Sequence, residues 1–205
     1  MGNCCENPTA AQATDFESLK ESIDVKAHVN AEKAKTYQSE IEVKTEGDEF
    51  TGETAGLEIG GDSRYTGMMN KGKANGRGVL INPRLRYEGE FVNGRPNGEG
   101  ILRTDNGDTF GGEFVNGSLH GKGEFRSKNG FEYTGEFQGN KFHGRGKARW
   151  PDGSIYEGEF ANGKQHGEGV FYYPDKRTFR GLYVNGKKEG PGTISFPNKA
   201  DIIKS

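Results

Sequence analysis

The sequence is poor in residues on which whole classes of protein depend. It has two cysteines in 205 residues, and they are neighbours, Cys4 and Cys5. Since adjacent Cα atoms lie about 3.8 Å apart, closer than a disulfide normally allows, no disulfide framework is expected. No stretch approaches the roughly 18 apolar residues of a transmembrane helix. Met1 is followed by polar residues, so we expect no secretory signal.

Hydrophobic residues and net charge are also low, whereas glycine and aromatic residues are abundant. Hydrophobic residues make up 30% of the chain and the net charge is −2, so the basic surplus of a nucleic-acid-binding protein is missing. Disordered chains usually lack aromatic residues, which here reach 11%. Collagen needs glycine at every third position, which the 34 glycines do not follow. A longer fixed period is therefore indicated.

A repeat of 22 or 23 residues accounts for the glycines and the rings. Each unit opens with an aromatic residue, any residue and a glycine, and positions are counted from that aromatic residue as zero. Position seven is glycine except at Asn140, and positions eleven and thirteen are always glycine. The six units start at Tyr65, Tyr87, Phe110, Tyr133, Tyr156 and Phe179, and position four is Met69, Phe91, Phe114, Phe137, Phe160 and Tyr183.

The alternation within each unit predicts a β-hairpin. In the second unit Tyr87 and Phe91 fall on one face of a strand, and Glu88 and Glu90 fall on the other. Asn93-Gly94 then provides a turn, because both residues tolerate positive φ. Glycine inside a strand normally weakens a sheet. Its regular placement beside rings predicts that it makes room for aromatic side chains of a neighbouring hairpin.

This pattern resembles the MORN repeat (membrane occupation and recognition nexus), with its aromatic-x-Gly opening and Gly-x-x-x-Gly-x-Gly run. The resemblance covers residues 65–201 in six units. It implies an all-β repeat fold, an elongated and twisted antiparallel meander of stacked β-hairpins, about 9.5 Å per unit. A shortened opening at Phe50 predicts a degenerate N-terminal cap over residues 50–64. Residues 202–205 are a short tail.

The segment 1–49 differs from the repeats in composition. It has 5 lysines and 11 acidic residues, which gives a charge of 5 − 11 = −6. A capping box at Thr14–Glu17 and a helical stripe of apolar residues predict a helix over 15–42. A partly disordered acidic spacer fits the same composition. Both interpretations stay open.

The first residues of the chain match a dual-acylation signal. Gly2 is the acceptor for N-myristoylation, and Cys4 and Cys5 are candidate S-palmitoylation sites. Glu6 departs from the Ser or Thr that usually completes the first motif. A single myristoyl chain binds membranes only marginally, and an acidic segment cannot supply a polybasic second signal. Palmitate is therefore the predicted second anchor, and two unmodified exposed thiols are the alternative.

Charged and aromatic residues of the repeats form the predicted contact surfaces. Basic residues gather around the first turn of each unit and predict a basic edge, which either protects the sheet or contacts anionic lipid. The predicted basic edge consists of Lys71, Lys73, Arg77, Lys141, Arg145, Lys187 and Lys188. The rings are predicted to form an apolar face for docking or self-association. They are Tyr65, Tyr87, Phe91, Phe110, Phe114, Tyr133, Phe137, Tyr156, Phe160, Phe179 and Tyr183.

No residue pattern favours a metal, a cofactor or catalysis. His120, His143 and His166 recur at position ten, but stacked units would hold them about 9.5 Å apart, too far for shared zinc ligation. The Gly-x-Gly runs never open a helix after a strand, as a nucleotide site requires. No nucleophile and base stand apart from the repeat background. The sequence therefore predicts a protein that is not an enzyme and has no cofactor.

The resemblance and the N-terminal signal together predict a function. MORN proteins occur at membrane junctions, cortical cytoskeleton and ciliary or flagellar structures, and often self-associate. We expect a membrane-tethered, non-enzymatic scaffold with protein partners, a homodimer being one arrangement. Its predicted place is the cytoplasmic face of a plasma, inner cortical or ciliary membrane. The alternatives are a phospholipid (phosphoinositide) recognition module and a regulatory subunit of a separate enzyme.

Overall fold

The regular structure in the described part of the chain is entirely β. The structure is a computed structural model that describes residues 50–59 and 62–197. These residues form one open antiparallel sheet whose thirteen strands follow chain order. The strands are β1 (Gly52–Glu58), β2 (Arg64–Asn70), β3 (Lys73–Asn82), β4 (Leu85–Val92), β5 (Arg95–Thr104), β6 (Thr109–Val115), β7 (Ser118–Arg126), β8 (Glu132–Gln138), β9 (Lys141–Arg149), β10 (Ile155–Ala161), β11 (Lys164–Tyr172), β12 (Thr178–Val184) and β13 (Lys187–Ser195).

The predicted fold class, an all-β antiparallel meander of hairpins, is confirmed. Each repeat supplies two consecutive strands, from β2–β3 to β12–β13, and β1 lies beside β2 at the edge. No helix long and apolar enough to cross a membrane occurs within the described ranges. The helix predicted over 15–42 and the tail 202–205 lie outside the described residues.

A two-residue turn joins the two strands of each unit. At Asn93-Gly94 the φ angles are 51° and 84°, the backbone of a type I′ turn. The fourth unit inverts the residue order, with Gly139 at 56° and Asn140 at 65°, so asparagine does replace glycine as predicted. The six turns stack along one edge of the sheet, named here the turn edge. There the Gly94 N–H donates to the carbonyl of Ala74 in the preceding unit at 2.9 Å, and the other units repeat this bond.

One glycine from each of β2 to β13 lies directly opposite the glycine of the next strand. This glycine row runs across twelve strands at positions two and thirteen of the units. Its members are Gly67, Gly78, Gly89, Gly100, Gly112, Gly123, Gly135, Gly146, Gly158, Gly169, Gly181 and Gly192.

The glycine row gives the opening aromatic rings a place to lie. A Cβ atom on Gly89 would come within 2.5 Å of the Tyr87 hydroxyl, and one on Gly100 within 2.2 Å. The Tyr87 ring therefore covers the two glycines of its own hairpin, as the opening rings of every unit but the third do. In the third unit a Cβ atom on Gly123 would instead meet the Phe137 ring of the next hairpin at 3.2 Å, which is the arrangement that the sequence predicted. The Tyr87 hydroxyl donates to the carbonyl of Glu90 at 3.1 Å, and Tyr133 makes the same bond to Glu136 at 2.8 Å.

The rings pack into a continuous core on one face of the sheet. Tyr87 meets Phe91 of its own unit and Phe114 of the next edge to face, at centroid distances of 5.1 and 5.2 Å. None of the eleven aromatic residues named from the sequence is more than 6% exposed. An open aromatic docking face is therefore not what the structure shows. The rings lie down on the glycine row and on one another, so they bury themselves without a partner.

Candidate functional site: a groove over the glycine row

The face opposite the rings carries a groove with a volume of about 1000 Å³. Its floor is the backbone of the glycine row from Gly78 on β3 to Gly135 on β8, and the Cβ positions of glycines such as Gly89 and Gly100 point away from it, towards the rings. Two rows of outward-facing side chains flank this floor and extend from β3 to β9. The wall residues are Arg77, Val79, Glu88, Glu99, Ile101, Gly111, Lys122, Glu124, Thr134, Glu136 and Arg145.

The two walls differ in chemistry. The wall nearer the loops that join units combines apolar and small residues with carboxylates, and Ile101 is 39% exposed on it. The wall nearer the turn edge is charged, with Arg77 at one end, Arg145 at the other, and Glu99 and Lys122 between them. A groove with an exposed backbone floor, apolar side chains and charges of both signs suits a polypeptide segment better than a small polar molecule.

A regular bulge shapes the wall nearer the turn edge. The register of each in-unit strand pair shifts just after the glycine row, and the glycine at position eleven, such as Gly144 with φ 54°, takes a left-handed conformation. The Glu136 carboxylate lies against this glycine and accepts the N–H of Arg145 at 3.1 Å. The glutamates at position three are thus partly structural, whereas the sequence had indicated only that they lie on the face opposite the rings.

An ion pair lies just beyond the C-terminal end of the groove. The Lys147 Nζ atom is 2.7 Å from Glu157 Oε1, with both side chains about half exposed. These two residues continue the wall nearer the loops onto β9 and β10, and both of them are charged. The open, partly apolar part of the groove is therefore confined to the strands before this pair.

The structure separates the seven basic residues that were predicted to share one edge. Lys71, Lys73, Lys141 and Lys187 lie at the turn edge. Arg77 and Arg145 line the groove instead, because their strands continue past the bulge before reaching position twelve. The prediction of a single basic edge is therefore wrong. Four of the seven residues lie at the turn edge, two line the groove, and the seventh faces inward.

The inward-facing lysine is Lys188. Its Nζ atom lies 4.3 Å from the centroid of the Phe179 ring and 5.1 Å from that of Tyr173, whose hydroxyl it also meets. Burial, reinforced by the charge of Arg177, lowers the pKa of Lys188 to about 8. Position nine, which Lys188 occupies, carries buried residues such as Leu119 in earlier units. The pairing of Lys188 with Tyr183 across β12–β13 fixes this orientation, which a count of charges around the turn could not reveal.

The turn edge carries basic and neutral residues only. Positions six to eight of the six units contain no acidic residue, and position eight is basic in five units, with Ser118 in the third. The described chain also begins at this edge, because the Phe50 carbonyl accepts the Gly72 N–H at 3.0 Å. The basic residues at position eight are Lys73, Arg95, Lys141, Lys164 and Lys187.

The remaining predicted site residues have a structural setting or lie outside the structure. The Tyr133 hydroxyl is within 3.3 Å of the His143 carbonyl, so that histidine takes part in the bulge through its backbone. Across residues 50–59 and 62–197, no group of three His, Cys, Asp or Glu is arranged to hold a metal ion. Gly2, Cys4 and Cys5 lie outside the described residues, and their acylation stays a prediction.

The groove itself was missed by the sequence reading. The glycines at positions two and thirteen were visible in the sequence, but their pairing was not, because a two-residue turn alone would pair position two with position eleven and the bulge shifts its partner to position thirteen. The alternation did place the rings on one face of the sheet, but it did not show that the side chains on the other face form two rows with a groove between them. The fold and the groove define a β-hairpin repeat protein with an open groove on the face opposite its aromatic core.

A family model described as MORN repeat matches residues 65–83, 87–109, 112–131, 133–155, 156–176 and 179–200, more than half of the chain. The chain belongs to the MORN-repeat family, a non-enzymatic repeat family, and its repeats are consistent with a protein- or lipid-interaction repeat protein. A comparison with curated protein sequences finds no significant match.

One similar solved structure is the TCP domain of SAS-4 (dCPAP) of Drosophila melanogaster, in complex with a proline-rich motif of Ana2 (dSTIL). It is 13% identical, with a TM-score of 0.26, and the match covers 61% of this chain and 86% of that chain. A similarity at this level carries no argument about function.

Proposed function

We propose that the protein is a membrane-tethered, non-enzymatic scaffold that holds a segment of a protein partner in the groove. The observation that carries the proposal is the division of the two faces. The rings bury themselves on one face, and the other presents an open groove with apolar and charged walls from Arg77 to Arg145. Six strand spacings give a length of roughly 29 Å, which about nine residues of extended chain span.

The tether rests on the N-terminal sequence. Gly2, Cys4 and Cys5 supply two kinds of acylation site, and one myristoyl chain alone holds a protein only weakly. We expect Gly2→Ala to release the protein to the cytosol, and Cys4→Ser with Cys5→Ser to leave weak, exchangeable binding. Fractionation of cells that express each variant measures both. Equal membrane retention of the two variants would contradict the tether.

The groove is tested by a matched pair of substitutions at position fourteen. Ile101→Arg places a long charged side chain in the groove, whereas Thr193→Arg makes a similar change at the equivalent, exposed position of the last unit, outside the groove. Proximity labelling from each acylated variant in its own cell reports the partners. We expect Ile101→Arg to lose partners that wild type and Thr193→Arg both label. Loss in both variants, or in neither, would overturn the groove as the binding surface.

A second candidate function is contact with anionic phospholipid through the turn edge. The supporting observation is its row of five basic residues at position eight without an intervening acid. Each Lys or Arg near an anionic surface contributes about 1 kcal/mol, so such a row would reinforce acyl anchoring.

The lipid function is tested on unacylated protein with vesicles that contain phosphatidylserine and a phosphoinositide. Reversal of Lys73, Lys141 and Lys187 to Glu should abolish salt-sensitive sedimentation with the vesicles. Reversal of Lys128 and Lys176, in loops at the opposite edge, is the control. If the unacylated wild type does not bind, or if both sets of reversals weaken binding equally, the turn edge is not a lipid surface.

A regulatory subunit of a separate enzyme is the third proposal. Identification of the proteins that are labelled from the intact protein tests it, because an enzyme should be among them.

A further inference from the structure

The groove wall has one gap, and it lies near the middle of the groove. Position one carries a side chain in five units: Thr66, Glu88, Thr134, Glu157 and Arg180. In the third unit this position is Gly111, on β6. Gly111 pairs with Ile101 on β5 and with Glu124 on β7, so the gap lies between an isoleucine and a glutamate.

The fold does not require glycine at position 111. A Cβ atom there would meet the Glu124 Cγ atom at 3.4 Å and Oε1 at 3.5 Å, which are ordinary contacts with a flexible side chain. The next residue differs, because Gly112 has φ 136° and its Cβ would lie 2.5 Å from the Lys122 carbonyl oxygen. Glycine inside a strand is destabilising. The chain therefore carries a destabilising residue in the groove wall for no structural reason.

A second unfavourable feature lies across the floor from this gap. Glu99 on β5 lines the groove and stands directly opposite Glu113 on β6, whose carboxylate lies beside the bulge glycine Gly121. Like charges in directly opposite positions of an antiparallel pair destabilise a sheet. The carboxylates nearest the gap on its own wall, Glu88 and Glu124, already pair with Arg86 and Arg126 at 3.1 and 3.3 Å. Their charge is thus partly matched within the chain.

We propose that the β5–β6 part of the groove is a subsite for an arginine side chain of the bound partner segment. The aliphatic stem would lie over Gly111 beside Ile101, and the guanidinium would meet the carboxylates of Glu99 and Glu113. Arginine suits this arrangement because its planar head bonds two carboxylates at once, while its stem packs on apolar surface. The inference rests on the proposed function, since it names a side chain for the groove's occupant.

The test begins with a displayed library of random 12-residue peptides selected against the full-length protein. Selected peptides are synthesised, and their affinity is measured by fluorescence anisotropy. We expect arginine to be enriched at one position. We expect Gly111→Thr, which fills the gap with the residue found at Thr66 and Thr134, to weaken binding at least ten-fold. Arg180→Thr places the same residue at the same repeat position outside the groove and should leave binding unchanged.

The carboxylates are tested through a double-mutant cycle. Glu99→Gln with Glu113→Gln should weaken the wild-type peptide, and replacement of its arginine by methionine should weaken binding to wild-type protein by a similar factor. The two changes together should add little to either alone, because they remove the same interaction. Additive losses would overturn the arginine assignment. Thermal unfolding of each variant shows that it is folded.

The outcomes separate the subsite from the groove. If selected peptides lose binding to Ile101→Arg but are unaffected by Gly111→Thr and by the two glutamine substitutions, the subsite is wrong and the groove stands. If no selected peptide depends on Ile101, both the subsite and the proposed function are contradicted.

Discussion

At the scale of single residues, glycine has two distinct roles in this sheet. Gly100 belongs to the glycine row, where a Cβ atom would come within 2.2 Å of the Tyr87 hydroxyl and 2.6 Å of its ring. Gly111 has room for a side chain and faces the groove. The same residue type is thus required for packing at one site and is unnecessary for packing at the other.

This difference predicts opposite effects of one substitution. Gly100→Ala should lower the free energy of unfolding by about 1–3 kcal/mol, because the ring and the backbone must move apart. Gly111→Ala should raise it by about 0.5–1 kcal/mol, because alanine restricts the unfolded chain and fits the strand. Urea unfolding followed by circular dichroism measures both. Equal destabilisation by the two changes would show that Gly111 is also a packing residue.

Lys188 predicts a dependence of stability on pH. Its pKa falls from 10.5 to about 8 in the folded protein, so between these values the unfolded chain binds more protons. Stability should therefore rise as the pH increases from about 8 towards 10. Above pH 10 the buried tyrosines reverse the trend, because burial raises the pKa of Tyr65 to about 12 and that of Tyr87 further.

Thermal unfolding at pH 7 to 11 measures this profile. Lys188→Met keeps the length of the side chain and removes its charge, so the rise above pH 8 should disappear while the fall above pH 10 remains. The exposed residue Lys187 provides the control, since Lys187→Met should keep the rise. A rise that persists in Lys188→Met would assign it to another group.

At the scale of the hairpin, position nine decides how well successive units pack. The residue there points into the core and its carbonyl accepts the turn N–H of the next unit, as Leu119 does for Asn140 at 3.0 Å. In the fifth unit this residue is Gln165, which is 1% exposed and whose side-chain nitrogen and oxygen have no hydrogen-bond partner among the described residues. Buried amide groups without partners destabilise a core.

Gln165→Leu should therefore stabilise the array by about 1–3 kcal/mol, since it restores the apolar residue of the third unit and removes two unpaired polar atoms. The exposed Gln138 is the control, and Gln138→Leu should leave the melting temperature almost unchanged. A melting temperature that falls in Gln165→Leu would indicate that the amide is satisfied by a bound water.

The hairpins were predictable from the sequence because their signals are local. Turn pairs such as Asn93-Gly94 and the alternation of Tyr87, Gly89 and Phe91 fix strand, turn and face within one unit. The bulge at position eleven was not predictable in the same way, because it depends on a carboxylate from the other strand, as Glu136 shows with Arg145. Lys188 was misplaced for a different reason, because counting charges around the turn ignored that its pairing with Tyr183 turns its side chain inward.

At the scale of the whole molecule, three surfaces of the sheet have different roles. The aromatic face holds the array together, the groove is proposed for a partner segment, and the turn edge is proposed to face the membrane. The groove could not be predicted from composition, because its walls are side chains that the register of neighbouring strands brings into two rows, with the backbone of the glycine row between them. The acyl anchor, by contrast, is a sequence prediction that the described residues do not test.

The most direct test is to map, by cross-linking in the cell, which surface of the protein a partner contacts. A photo-reactive phenylalanine analogue is placed in turn at Thr134 in the groove, at Arg180 in the same repeat position outside it, and at Ser118 on the turn edge. The account predicts that one protein cross-links through position 134, not through 180 or 118, and that Ile101→Arg abolishes this product. Cross-linking through 180 or 118 without any product at 134 would contradict it.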